Sequence, residues 1–211
     1  QRYNHTGHHL FPGTILTYPQ NAGLATREAL AKETERASAW QGGAMFEQQS
    51  NQQAGRLSGD GFVRCSDGHV RWGVFGAAGV VFVVQETDGP RVMLQKRSQM
   101  AHEGGTWSCA GGALDQGEMP LDGAMREASE EVGTVPESAR LLGEYLFKPA
   151  VDWAYTTVVV QVGERFGNSI NFETDAVEWF TPDEVEAMPL HAGFAAAWPH
   201  LRDIVESTPT P

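Results

Sequence analysis

The sequence predicts an α/β (α+β) fold: one domain of mixed strands and helices over residues 61–211, behind a short N-terminal extension, residues 1–60. Three observations predict it. Strand-length runs rich in Val, Phe, Thr and Trp recur from residue 61 onward, bounded by Gly, Asp and Pro, as strands and their turns require. Among them, residues 120–132 place apolar side chains at the period of a helix. Residues 1–60 lack this regularity and close on EQQSNQQAGRLSGDG, a polar stretch without period that reads as a linker.

The extension opens with YNHTGHHLFPGTILTYP, rich in Gly, Pro and His. LATREALAKETERASAW follows, a helical pattern with Ala and Leu formers and charges outside. Leu24, Leu30 and Trp40 give it some apolar surface, to be buried on the domain or on a partner subunit; a homodimer is open on this reading. His5, His8 and His9 offer imidazoles to a metal, but no Cys or carboxylate stands near them, so a solvated segment is preferred.

From Gly61, FVRC-SDGH-VRWG reads as a hairpin turning at Asp67-Gly68. FGAAGVVFVVQ is a buried strand, TDGPR a turn and VMLQKR a second strand. LFKP, YTTVVVQVG and VEWF are further strands. TPDEVEAM opens with a capping box, Thr181 as N-cap, Pro182 at N1 and Glu184 at N3. A last helix is expected over residues 194–205, interrupted at Pro199.

Composition excludes some classes. With 211 residues, 41% apolar and 20% charged, the chain has the make-up of a globular protein. Its net charge of −12 argues against a nucleic-acid polymer as partner, since phosphate backbones are bound by Lys and Arg. No apolar run is long enough to cross a bilayer, and no secretory signal is visible. Cys65 and Cys109 form no metal-like spacing or disulfide framework, so a reducing, cytoplasmic setting is expected.

The segment GGALDQGEMPLDGAMREASEEVG, residues 111–133, holds six acids and one base, Arg126. Its helix should begin at Pro120, favoured at N1, and end before Gly133. Leu121, Ala124, Met125, Ala128 and Val132 then form one stripe, while Glu127, Glu130 and Glu131 share another arc. Like charges at this spacing repel by roughly 0.2–0.5 kcal/mol per pair. Gly123 inside the helix costs about 1 kcal/mol more. Such a helix is not optimised for its own stability. Carboxylates so gathered suit a hard cation such as Mg²⁺, which takes oxygen ligands; a solvated acidic face is the alternative.

The full spacing is more specific. Gly112, five residues, Glu118, seven residues, then Arg126-Glu127-x-x-Glu130-Glu131-x-Gly133 resembles the signature of the Nudix hydrolases. Ala128 stands where that family has a larger aliphatic, and Ala110 where it usually has Pro. The resemblance implies a mixed β-sheet sandwiched between helices. It implies metal-dependent hydrolysis of the pyrophosphate in a nucleoside diphosphate derivative, with Mg²⁺ (or Mn²⁺) as cofactor and a small nucleotide as substrate. A house-cleaning nucleoside triphosphate hydrolase and a non-catalytic nucleotide sensor are the alternatives.

The same resemblance implies metal contacts from Glu127, Glu130, Glu131 and the Gly111 carbonyl, with Glu118 and Arg126 paired behind them. For the general base it implies a later loop acid: Glu173, with Asp175 and Glu178 as rivals, or a box carboxylate such as Glu130. Arg97, where a strand ends, is a candidate phosphate contact. Trp107 either stacks on a base or packs under the loop. Trp153 and Tyr155 either frame a nucleobase or belong to the core. Pro149 lies 15 residues past Thr134, which resembles the ADP-ribose pyrophosphatases and makes ADP-ribose, or a similar nucleotide sugar, the expected substrate.

Overall fold

A computed structural model describes residues 57–100, 103–168 and 174–207. The extension up to residue 56, with its histidines and expected helix, lies outside the described residues, as does Glu173.

The hairpin at the start forms as expected. β1 (Phe62–Arg64) pairs antiparallel with β2 (Val70–Trp72), and Gly68 takes a positive φ of 85° in the turn. Only glycine adopts that conformation freely. Residues just before the hairpin are stitched to the domain. Val74 N–H donates to the Gly59 carbonyl at 2.9 Å, and Gln116 N–H to the Leu57 carbonyl at 3.0 Å. Leu57 and Gly59, ahead of the expected boundary at Gly61, are thus hydrogen-bonded to the domain.

Around β3 (Ala77–Glu86) the main sheet is built. On one edge β3 runs parallel to β8 (Trp153–Val162), which pairs antiparallel with β7 (Arg140–Ala150). On the other edge it pairs antiparallel with β4 (Gly89–Arg97) along its second half. Along its first half its partner is β6 (Ala110–Ala113). β5 (Trp107–Ser108) and β9 (Thr174–Phe180) both pair with β4. The short strands β5 and β6 were not legible in sequence, since the pair Trp107-Ser108 is too short to show a period and Ala-Gly-Gly-Ala has no β-branched or aromatic residue. They fill the gap where β3 and β4 diverge, which brings the Gly111–Gly112 backbone into the middle of the sheet.

Helices cover both faces. α1 (Pro120–Glu131) lays Ala124, Met125, Ala128 and Val132 on Ala78, Val80 and Phe82. α3 (Ala192–Glu206) lays Phe194, Trp198, Leu201 and Val205 on Val81, Val83, Val92 and Leu94. Alternate residues of β3 therefore serve opposite layers, and this explains its unbroken apolar run. The short α2 (Pro182–Glu186) carries the expected capping box between Thr181 and Glu184.

Two expectations change. α3 is continuous through Pro199 rather than interrupted. Pro199 lies on the exposed side, where water can satisfy the carbonyl it leaves without a partner, while the buried stripe holds the helix to the sheet. The strand read from LFKP runs over eleven residues and includes Pro149. β7 is an edge strand, and its register slips between Phe147 and Ala150. A proline is tolerated at such a position because no ladder hydrogen bond needs its missing N–H.

Candidate active site

α1 is entered through Pro120 and left through Gly133, at φ 100°. Met119 supplies no side-chain cap. Glu118, beside it, is committed elsewhere. Its side chain is only 2% exposed and receives the Arg126 fork, Nε to Oε1 at 3.1 Å and Nη2 to Oε2 at 2.9 Å. Glu118 Oε2 also accepts from Asp115 N–H at 3.0 Å, and Arg126 Nη2 donates to the Ala113 carbonyl at 2.9 Å. One bidentate pair thus closes the loop 114–118 onto the helix. Gly123 also gains a reason. A Cβ there would fall 2.4 Å from Leu114 Cδ2 and 2.9 Å from Glu118 Oε2, so the residue that weakens the helix makes room for the loop.

The three acidic side chains of the other arc sit differently from one another. Glu127 lies over Gly112 and accepts from Arg126 Nη1 at 2.7 Å. Burial pushes its carboxyl pKa up against the opposing pull of Arg126. Glu130 is largely exposed, its Oε1 3.7 Å from Arg126 Nη1. Glu131 Oε2 accepts from Gly111 N–H and from Gln95 Nε2, both at 2.9 Å. Among the described residues no three His, Cys, Asp or Glu side chains stand close enough together to form a ready-made cage. The donors are nevertheless all oxygens on one helix face above a glycine pair, the set a hard divalent cation takes. In donor type the residues fit such an ion.

Residues 75–202 match the profile of the NUDIX domain, about three fifths of the chain. The chain belongs to the Nudix family. A Mycobacterium tuberculosis protein provisionally named 8-oxo-dGTP diphosphatase 3 is 39% identical over 160 residues, covering 73% of this chain and 74% of that one. A Bifidobacterium longum fusion of a nucleoside triphosphate pyrophosphatase with a Nudix hydrolase is 33% identical over 151 residues, which cover 68% of this chain and 31% of that protein. Among solved structures, the Nudix hydrolase RenU of M. smegmatis superposes with a TM-score of 0.65 at 34% identity, over 72% of this chain and 98% of that one. The protein is a Nudix pyrophosphohydrolase, of a family whose members generally use divalent metals.

The remaining candidates fall around this Nudix box or away from it. Arg97 ends β4, at a register shift beside Lys96. Its charge and that of Glu131 both act on the Cys109 thiol, so Arg97 shares the neighbourhood of the box. Trp153 is buried, its Nε1 donating to the Gly73 carbonyl at 3.1 Å while the Arg71 guanidinium lies 5.2 Å from the ring centre. The Tyr155 hydroxyl is turned inward, 4.0 Å from Cys109 Sγ. Both aromatics join a cluster with Ala77 and Ala150, the packing alternative of the sequence reading. Trp107 also packs, edge-on to Phe180 at 5.0 Å. Of the rival base candidates, Glu178 alternates along β9 with Val177 and Trp179, which pack on the α1 side. It therefore points to the α3 side, away from the box. Asp175 is exposed beside the β9 register shift.

Sequence reasoning missed Gln95 and Thr174. Both are buried, at 4% exposure each, and both reach the box, Gln95 directly and Thr174 through Gln95 Oε1 at 2.8 Å. The available signal was a glutamine directly after the apolar Val92-Met93-Leu94 of a predicted strand, since an amide buried there needs partners.

Proposed function

We propose that this protein hydrolyses the pyrophosphate of a small nucleoside di- or triphosphate derivative, with Mg²⁺ or Mn²⁺ held by Glu127, Glu130, Glu131 and the Gly111 carbonyl. The observation that carries the catalytic reading, against a binding-only sensor, is the intact carboxylate arc above Gly111–Gly112 with the Glu118–Arg126 fork behind it. The metal, when bound, neutralises the pyrophosphate and acidifies a water. The chain's own part is positional. Arg126 and Glu118 set the helix against the loop, Gly112 lets Glu127 lie flat, and Gly111 N–H turns Glu131. Arg97 adds a cation for phosphate. The base that takes the proton of the attacking water is Glu130, exposed on the arc, or Glu173, which directly precedes Thr174 in the sequence.

For the substrate, the ADP-ribose reading rested on Pro149, on Trp153 with Tyr155, and on a net charge of −12 that repels a triphosphate more than a diphosphate ester, a difference that bound metal ions blunt. Edge-strand placement accounts for Pro149, and core packing accounts for both aromatics. The house-cleaning alternative gains support from the 39% identical relative named for 8-oxo-dGTP. We favour a nucleoside triphosphate, cleaved to the monophosphate and pyrophosphate. The test is kcat/KM for 8-oxo-dGTP, dGTP, ADP-ribose and a nucleotide sugar, each with Mg²⁺ and with Mn²⁺. A triphosphate should win by tenfold or more, about 1.4 kcal/mol of transition-state preference. An equal margin for ADP-ribose restores the nucleotide-sugar reading. No turnover of any nucleotide, with tight binding of one, makes the protein a sensor.

A further inference from the structure

Gln95 sits on β4, a strand outside the Nudix box, and its side chain joins two parts of the site. Its Nε2 donates to Glu131 Oε2 at 2.9 Å and lies 3.5 Å from the Cys109 carbonyl. Its Oε1 accepts from Thr174 Oγ1 at 2.8 Å. Glu131 Oε2 accepts at the same time from Gly111 N–H at 2.9 Å. Both Gln95 and Thr174 are 4% exposed, so water competes little for these bonds and each is stiffer than its surface equivalent.

The direction of the amide is settled by its neighbours. A flip would set Gln95 Oε1 against the Glu131 carboxylate, acceptor against acceptor, in a buried place where such a mismatch is costly. Thr174 donates to Gln95 Oε1 in the arrangement observed and stabilises that orientation. Glu131 sits near the last turn of α1, where a glutamate side chain has several rotamers to choose from. Two N–H groups on one oxygen, from β4 and from β6, select one of them.

We propose that Gln95, oriented by Thr174, is a positioning residue that holds the Glu131 carboxylate in its cation-binding pose and links it to the start of β9. The chain Thr174–Gln95–Glu131–Gly111 crosses three strands and the helix. It begins at the residue next to Glu173 and ends on the backbone beside Gly112. Thr174 therefore reaches Glu131 through two hydrogen bonds. Removing a hydrogen bond that orients a metal ligand typically lowers metal affinity 10–100-fold.

This rests on the reading of Glu131 as a metal ligand, and the experiment separates the two. Mn²⁺ binding to the full chain is measured by electron paramagnetic resonance and calorimetry, without substrate, for the wild type, Gln95→Met, Thr174→Val and Thr174→Ser. Thermal melts accompany each variant. Gln95→Met keeps the length and apolar fit of the side chain but donates nothing. It should weaken Mn²⁺ binding at least about tenfold with a native melt, and raise the Mn²⁺ concentration needed for half-maximal activity in step. Thr174→Val should move the same way by less, and Thr174→Ser, which restores the hydroxyl, should return to wild-type affinity. Should Gln95→Met fail to fold, the Val and Ser pair decides. Mn²⁺ affinity within twofold of wild type in a folded Gln95→Met, or equal affinity in Thr174→Val and Thr174→Ser, overturns the proposal. A wild-type chain that binds no Mn²⁺ overturns the parent reading as well, a failure visible before any variant is made.

Discussion

Gly112 lies beneath the Glu127 carboxylate, so close that a Cβ on the glycine would fall 2.3 Å from Oε2 and 2.4 Å from Cδ. The glycine's value here is the absence of a side chain, and what it admits is the carboxylate of the helix above. Gly112→Ala should therefore displace Glu127 while leaving the strand pairing of Ala78 with residue 112 intact. Turnover should drop by at least tenfold, about 1.4 kcal/mol. The melting temperature should fall little, because the displaced group is the far end of a flexible side chain. Steady-state rates beside a thermal melt check this. Loss of fold in step with loss of rate would make Gly112 a structural residue instead.

The Glu118–Arg126 fork is the opposite case, a contact whose loss should unfold. With its side chain 2% exposed, Glu118 would be left a buried charge without its partner in Arg126→Ala. Breaking such a pair costs about 3–5 kcal/mol. Arg126→Lys restores a charge but not the fork, and should recover only part of the loss. Urea unfolding of both variants measures the difference. Stability within about 1 kcal/mol of wild type in Arg126→Ala would show the pair to be dispensable for the fold.

What could be read from the sequence was what is local. α1 was legible at both ends because Pro120, Gly133 and the stripe from Leu121 to Val132 lie within fourteen positions. Glu118 and Arg126 were expected as a pair through the family resemblance alone, and the fork joins them. Gln95 and Thr174 were not legible, since their bonds span 36 and 79 positions. Nothing near Gln95 in the chain marks its partner. Trp153 and Tyr155 were ambiguous for another reason. An aromatic at a strand's start suits a ligand or a core equally, and only the arrival of Arg71, Gly73 and Cys109 decides. At Pro199 the local rule was sound but weaker than the stripe of Phe194, Trp198, Leu201 and Val205 against the sheet.

Alkaline pH should loosen the fold from beneath the box. Burial pushes the Cys109 thiol from its ordinary 9.0 up to about 12, and burial likewise raises the Tyr155 hydroxyl facing it. A folded pKa above the unfolded one means the native state binds the proton more tightly. The stabilisation is complete below about pH 9 and is lost as pH rises toward about 12. Urea midpoints taken from about pH 8 to about pH 10.5 should decline, and Cys109→Ala with Tyr155→Phe should flatten that decline whatever their effect at neutral pH. At about pH 8 the native thiol should also resist alkylation, because the reactive thiolate is scarce. Rapid labelling of Cys109 in the folded chain would contradict its burial.

The acid arc should trade rate for stability. Glu130 is 63% exposed, so Glu130→Gln should change stability by no more than about 0.5 kcal/mol. Glu131→Gln keeps a carbonyl oxygen able to accept from Gly111 and Gln95, so its fold should also hold. Relief of repulsion among Glu127, Glu130 and Glu131 works in favour of both variants, by roughly 0.2–0.5 kcal/mol per pair. Turnover is expected to move the other way. Each substitution removes a charged oxygen from the proposed cation site, and each should lower kcat by at least about 100-fold at saturating Mg²⁺. Chelation of the wild type with excess EDTA should abolish activity reversibly. The informative measurement is the pair of numbers, kcat and melting temperature, on the same preparation. A folded Glu130→Gln or Glu131→Gln that turns over at near wild-type rate, or full activity in EDTA, would mean that the acids gathered on this helix serve something other than a metal.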